Sequence, residues 1–148
     1  KIISKYNLSD YILLFPFCSE HLQQKKWPYY DQLIKLIKQN HPNLKIVIAP
    51  GPDEIEKAKK LDAVSILKED KAISISELAG LIKRSKFVVA NDTGPAHMAA
   101  HLNVKGLSLF GSHTTAYKVS IERENFKAIQ VSDLKNLSAQ KVFERLAL

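Results

Sequence analysis

The 148 residues carry a formal net charge of +7 at pH 7, with 45% hydrophobic and 25% charged side chains and one cysteine, Cys18. That is the composition of a globular domain able to build a core, and no apolar run approaches the ~20 residues of a membrane span. A lone cysteine excludes an internal disulfide or a multi-cysteine metal site, and the charge, spread over Lys25 and Lys26, Lys57 to Lys60 and Lys83 with Arg84, lacks the Arg-rich or aromatic-interleaved stripe of a nucleic-acid binder. An anionic membrane face or a phosphorylated ligand stays open as a partner.

In chain order, the stretch before Tyr11 reads as a stub. The only methionine is Met98, so a chain starting at Lys1 is expected to be a processed product, an excised domain or a partial sequence. Strand-length apolar runs follow: YILLFPF (11–17), KIVIA (45–49), AVSIL (63–67), FVVA (87–90), GLSLF (106–110) and FKAIQV (126–131). They are continuous rather than alternating, as strands buried on both faces of a parallel sheet are. Between them lie helical patterns. Trp27-Pro28 opens a segment whose Leu33, Ile34 and Ile37 share a face, and Pro42 closes it. Asp53 with Glu56, and Ser74 with Glu77, have the spacing of a capping box. A last helix spans about Ser138 to Leu146, and SHTTAYKVSIEREN (112–125) is irregular. Strands alternating with helices, without repeat or linker, predict one doubly wound α/β domain.

The chemistry concentrates in ANDTGPAHMAAH (90–101), at the junction of the fourth strand and its helix. In an open parallel sheet ligands sit outside the carboxyl ends of the strands. Pro95 suits the first helical position, Gly94 lets backbone approach a ligand, and the free amides with the helix dipole suit phosphate. Thr93 adds a hydroxyl. Asp92 would repel phosphate and needs a sugar hydroxyl or cation as partner. Locally, Asp92 and Thr93 could equally be plain helix caps. His97 and His101 stand four apart, a zinc-chelating spacing, but no third ligand is evident and Met98 occupies the place of the metalloprotease glutamate. No metal is expected. His97 could instead donate to phosphate.

Two further stretches follow carboxyl ends of strands. In FPFCSEHLQQKKWP (15–28), Ser19 and Lys25 could face the same crevice, Lys25 as a point charge for a diphosphate. In APGPDE (49–54), Glu54 or Asp53 could take ribose hydroxyls, although capping alone accounts for Asp53. The five glycines form neither GxGxxG nor GxxxxGK[ST], and no GxSxG elbow is present.

Together, FPFCSEHLQQKKWPYYDQLIKLI, IAPGPDE and KFVVANDTGPAHMAAHLNVKGLSLFG resemble the C-terminal domain of glycosyltransferase family nine, the heptosyltransferases. The resemblance implies a Rossmann-like domain, the C-terminal half of a two-domain GT-B enzyme that transfers heptose from ADP-heptose to a lipopolysaccharide core acceptor with inversion. It implies residues 1–10 as linker or remnant of an absent N-terminal domain and 11–148 as the nucleotide-sugar domain. Lys25 matches the lysine of the family's K-x-W-P motif, at the diphosphate. Asp92, Thr93, Gly94 and His97 match its D-[ST]-G-x-x-H motif: Asp92 toward the donor sugar, Thr93, Gly94 and the following amides of Pro95's turn at the phosphates. Ser19 and Glu54 are looser matches, for phosphate and ribose. The catalytic base is implied on the N-terminal domain, so this chain alone is expected to be inert. The stretch 112–125 departs from the family's Gly/Pro-rich loop, having neither residue. No cofactor is implied; the lipid-linked acceptor would be met through the other domain, in the cytoplasm or peripherally at an anionic inner membrane face. The rival readings are half of another GT-B transferase or epimerase using a UDP-sugar, and a non-catalytic α/β binding module.

Overall fold

The computed structural model describes residues 2–17, 26–91, 93–111 and 124–146. Its elements are α1 (Ile2–Lys5), β1 (Tyr11–Phe15), α2 (Tyr30–Asn40), β2 (Lys45–Ile48), α3 (Ile55–Ala58), β3 (Val64–Ser65), α4 (Ile75–Arg84), β4 (Phe87–Asn91), α5 (Gly94–His101), β5 (Gly106–Phe110), β6 (Phe126–Gln130), a 3-10 turn (Leu134–Asn136) and α6 (Ala139–Glu144). The strands form one six-stranded sheet in the order β3-β2-β1-β4-β5-β6, every pairing parallel. This is the doubly wound α/β arrangement that the continuous apolar runs predict.

Successive strand residues bury into opposite cores, which is why polar alternation is missing from the sequence. On one face Leu13, Val47, Val88, Phe110 and Phe126 pack with Leu81 and Ile82 of α4 and Ala96, Ala99 and Ala100 of α5. On the other, Ile12, Leu14, Ile48, Val89 and Leu109 pack with Leu33, Ile34 and Ile37 of α2 and Val142 of α6. Burying a side chain of this size contributes roughly 1.5–3 kcal/mol. The three buried alanines let α5 lie close against the sheet. β5 itself comes close to β4: a Cβ on Gly106 would stand 2.6 Å from the Val88 carbonyl oxygen.

Local expectations meet the structure unevenly. Ser74 and Glu77 form the full capping box on α4. Asp53 and Glu56 do not: α3 begins at Ile55 with Glu54 at its N-cap and no side-chain cap bond. The reason is competition, since the Glu54 carboxylate folds back to accept the Gly51 amide at 2.9 Å. Helix α2 starts at Tyr30, two residues past Pro28, and ends at Asn40 ahead of Pro42. Ser138 caps α6 by accepting from the Lys141 amide at 3.2 Å. The third strand is only Val64–Ser65, because it is the sheet's edge and pairs with β2 alone.

Residues ahead of β1 pack on the domain. Ile2, Ile3 and Tyr6 lie against the first core and Leu8 is buried in it. The Tyr6 hydroxyl donates to the Leu67 carbonyl at 2.9 Å and accepts the Leu67 amide at 3.0 Å, pinning this segment beside β3. Among the described residues no helix is long and apolar enough to cross a membrane.

Candidate functional site

The sheet winds outward in both directions from β1 and β4, so the crossovers diverge there and leave a crevice at their carboxyl ends. A cavity of about 350 Å³ occupies that position. Its walls come from the three strand exits singled out above: Phe15, Pro16 and Phe17 after β1, Gly51 and Glu54 after β2, and Thr93 and Pro95 after β4. Ala72 and Ile73 of the loop before α4, with Leu78 of α4 itself, close one side. Mixed walls of this kind, apolar surface with a few convergent polar groups, are those of small-molecule sites.

The start of α5 contributes Thr93 and Pro95 to the cavity wall. Thr93 is the N-cap residue, yet its side chain makes no cap bond; its hydroxyl donates instead to the Asn91 carbonyl at 3.3 Å. The reading of Thr93 as a plain side-chain cap therefore fails. Gly94 is the first helical residue and Pro95 the second, one place later than expected. Proline still fits, because the second amide is also an orphan in a helix. A Cβ at Gly94 would meet nothing among the described residues within 4 Å, so their packing does not demand glycine there.

Glu54 lines the cavity with one carboxylate oxygen on the Gly51 amide at 2.9 Å, leaving its remaining acceptor capacity toward the crevice. Asp53 is exposed. The backbone amide of His97 donates to the Thr93 carbonyl at 3.3 Å, and His97 is half-buried, whereas His101 at the far end of α5 is exposed. Among the described residues no cluster of three His, Cys, Asp or Glu side chains could hold a metal. Ser19, Lys25 and Asp92 lie outside the described residues, as does 112–123 of the irregular stretch.

Two features escaped the sequence reading. The apolar wall of Ala72, Ile73 and Leu78 depends on how α4 crosses behind β1 and β2, which no local motif announces. Asn91 is the other. Fully buried at the end of β4, it donates through Nδ2 to the Pro16 carbonyl at 3.0 Å and accepts through Oδ1 from the Tyr30 hydroxyl at 3.2 Å. Tyr30 belongs to the Leu33, Ile34 and Ile37 stripe, so its position signalled burial but not this bond.

The sequence pattern of glycosyltransferase family 9 (heptosyltransferase) matches residues 3–146. The chain belongs to this family. A lipopolysaccharide heptosyltransferase 1 of Campylobacter coli is 29% identical over 114 residues, covering 71% of this chain and 33% of that protein. The solved E. coli heptosyltransferase WaaC with ADP-2-deoxy-2-fluoro heptose superposes with a TM-score of 0.75 at 24% identity, covering 90% of this chain and 41% of WaaC. The E. coli ADP-heptose lps heptosyltransferase II gives 0.74 at 19% identity, over 97% of this chain and 48% of that one. The UDP complex of S. aureus MnaA also shares the fold, with a TM-score of 0.64 at 19% identity, over 97% of this chain and 37% of MnaA. The family 9 chain thus spans a third of its curated relative and less than half of these solved relatives.

Proposed function

We propose that this family 9 chain is the donor-binding half of a GT-B heptosyltransferase, taking an ADP-sugar, with ADP-heptose as donor and a lipopolysaccharide core saccharide as acceptor. The observation that carries the reading is the cavity at the β1/β4 divergence, into which the exits of β1, β2 and β4 converge with a helix start that the Thr93 side chain does not cap. Membership of the family and the likeness to a WaaC structure holding an ADP-heptose analogue support the choice of ligand.

In this reading the first-turn amides of α5 and the Thr93 hydroxyl hold the diphosphate, with His97, Ser19 and the Lys25 ammonium beside them. Asp92 reaches past the phosphates to the donor sugar, and Glu54 takes a ribose hydroxyl. As an acceptor hydroxyl attacks the anomeric carbon from the opposite side, the bond from that carbon to the diphosphate oxygen breaks and its electron pair leaves with ADP. Donors fixed around that oxygen lower the barrier because they are already in place when its charge develops, by several kcal/mol in comparable sites. Lys25 and the helix terminus carry that charge without a metal or other cofactor. The base that takes the acceptor proton, and the lipid-linked acceptor itself, belong to a second domain, with residues 1–10 leading from it. The chain alone therefore binds donor without turning it over. Such an enzyme works in the cytoplasm, with peripheral contact between its excess lysines and an anionic inner membrane face; nucleic acid has no part in it.

A second reading, half of a UDP-sugar transferase or epimerase, draws on the fold shared with the MnaA–UDP complex. Calorimetric titration of the chain with ADP and UDP, repeated on Lys25→Ala and Gly94→Val, separates the two. Selective ADP binding, weakened by both substitutions, supports the proposal. UDP selectivity supports the second reading, and failure to bind either nucleotide removes both in favour of a non-catalytic module. A Cβ at Gly94 meets nothing among the described residues within 4 Å, and an unchanged urea midpoint for Gly94→Val would separate lost ligand space from a damaged fold.

A further inference from the structure

Asn91 sits where the two flanks of the crevice meet, and its bonds reach both. Pro16, its acceptor, directly follows β1, and Tyr30, its donor, opens α2. The Tyr30 ring meets Trp27 edge-on, with centroids 4.9 Å apart and planes at 76°, and the Trp27 indole N–H donates to the Leu137 carbonyl at 2.7 Å. One carboxamide therefore fixes the chain on both sides of residues 18–25, and Thr93, two residues on, holds the N-cap position of α5.

The orientation of this carboxamide is determined by chemistry. The Pro16 carbonyl can only accept, so the end facing it must be the NH2, which leaves Oδ1 for the Tyr30 hydroxyl. A leucine of similar shape would fill the same buried space, but it would take this partner from the Tyr30 hydroxyl and the Pro16 carbonyl, and a buried polar group left unsatisfied costs about 1–3 kcal/mol. Packing alone does not ask for an amide here. A two-ended polar tie between three strand and helix ends does.

We propose that Asn91 is a positioning residue of the crevice: its carboxamide holds the exit of β1 and the start of α2 in register with the Thr93-to-Ala96 turn, so that the groups meeting a nucleotide diphosphate are assembled before it arrives. Preassembly raises affinity by lowering the ordering cost of binding. The nucleotide part of this inference rests on the donor-binding reading above; the tie itself does not.

The test is amide hydrogen exchange of the nucleotide-free chain, followed by ADP titration, on Asn91→Leu and Tyr30→Phe, with Val142→Ala as a remote destabilised control. Asn91→Leu, which removes two hydrogen bonds, is expected to speed exchange at His97 and Leu33, whose amides close the first turns of α5 and α2, by about ten-fold or more. Exchange at Val47 and Val88 in the sheet should stay as in the parent. Val142→Ala should do the reverse, speeding the sheet amides through global unfolding. ADP affinity should fall about ten-fold in Asn91→Leu. Unchanged exchange around the crevice, or acceleration of all amides in parallel, overturns the proposal. Should Asn91→Leu not fold, Tyr30→Phe, which keeps its ring against Trp27, decides by the same readout. If the parent chain binds no ADP, the donor-binding reading falls while the exchange data still judge the tie.

Discussion

The Gly51 amide donates to Oε1 of Glu54 at 2.9 Å, so the carboxylate that faces the crevice also closes the turn after β2. That double use distinguishes its variants. Glu54→Ala removes both the turn acceptor and the ligand acceptor, and a hydrogen bond to a charged group is worth roughly 1.5–3 kcal/mol. ADP affinity in the chain should fall by about ten-fold or more. Glu54→Gln keeps a carbonyl for the Gly51 amide and should lose only a few-fold, roughly the difference between a charged and a neutral acceptor. Equal losses in both variants, measured calorimetrically, would mean that charge and not turn geometry is what the site uses.

Ser108 lies in the middle of β5, opposite Ala90 and Ala128, with its hydroxyl fully buried and no hydrogen-bond partner among the described residues. Alternation along the strand places it on the side of Phe110, under the alanines of α5. A buried hydroxyl without a partner costs about 1–3 kcal/mol. Ser108→Ala should therefore raise the urea midpoint at unchanged slope, by about 1 kcal/mol. A loss of stability would show that the hydroxyl holds a buried water.

The contrast between Ser108 and the rest of its sheet shows what a reader of the sequence could recover. The runs YILLF, FVVAN and GLSLF announce strands because both of their faces are buried, so apolar continuity survives without any knowledge of partners. The crevice was legible for a related reason: in a parallel sheet ligands sit outside the carboxyl ends of strands, and residues of NDTGP, APGPDE and FPF after β4, β2 and β1 line the cavity. The misplacement of the α3 cap arose because Asp53 and Glu54 compete within two adjacent positions, and only the Gly51-Pro52 turn decides between them. Asn91 was illegible as a tie because its partners, Pro16 and Tyr30, lie 75 and 61 residues away and meet it only once β1 and β4 are neighbours.

Gly106 opens β5 at a close approach rather than at a special backbone angle. An added Cβ would lie 2.6 Å from the Val88 carbonyl oxygen and 2.7 Å from the Phe126 ring. The ring can turn aside, but the carbonyl belongs to the neighbouring strand's backbone. Gly106→Ala should destabilise by about 2 kcal/mol, the usual cost of overpacking a core. Adding Phe126→Leu should recover only part of that loss; full recovery in chemical denaturation would show that the ring, and not the strand, sets the limit.

The alkaline limit of stability should carry the mark of Tyr11. Its side chain is 1% exposed, its hydroxyl donates to the Leu81 carbonyl, and burial pushes its pKa up to about 12 against the opposing pull of Arg84. In the unfolded chain a tyrosine titrates near 10. Above about pH 10 the unfolded state therefore releases this proton while the folded state keeps it. The contribution is whole below about pH 10 and is lost as pH climbs through about 12, at no more than about 1.4 kcal/mol per pH unit. Tyr11→Phe should be less stable than the parent at neutral pH, because the Leu81 carbonyl loses its donor. Between pH 10 and 12, however, its stability should decline less steeply, and subtracting the two urea-unfolding series removes the titration of the other tyrosines. Parallel declines in that window would place Tyr11's pKa in the folded chain near its unfolded value and rule out burial as a constraint on its charge.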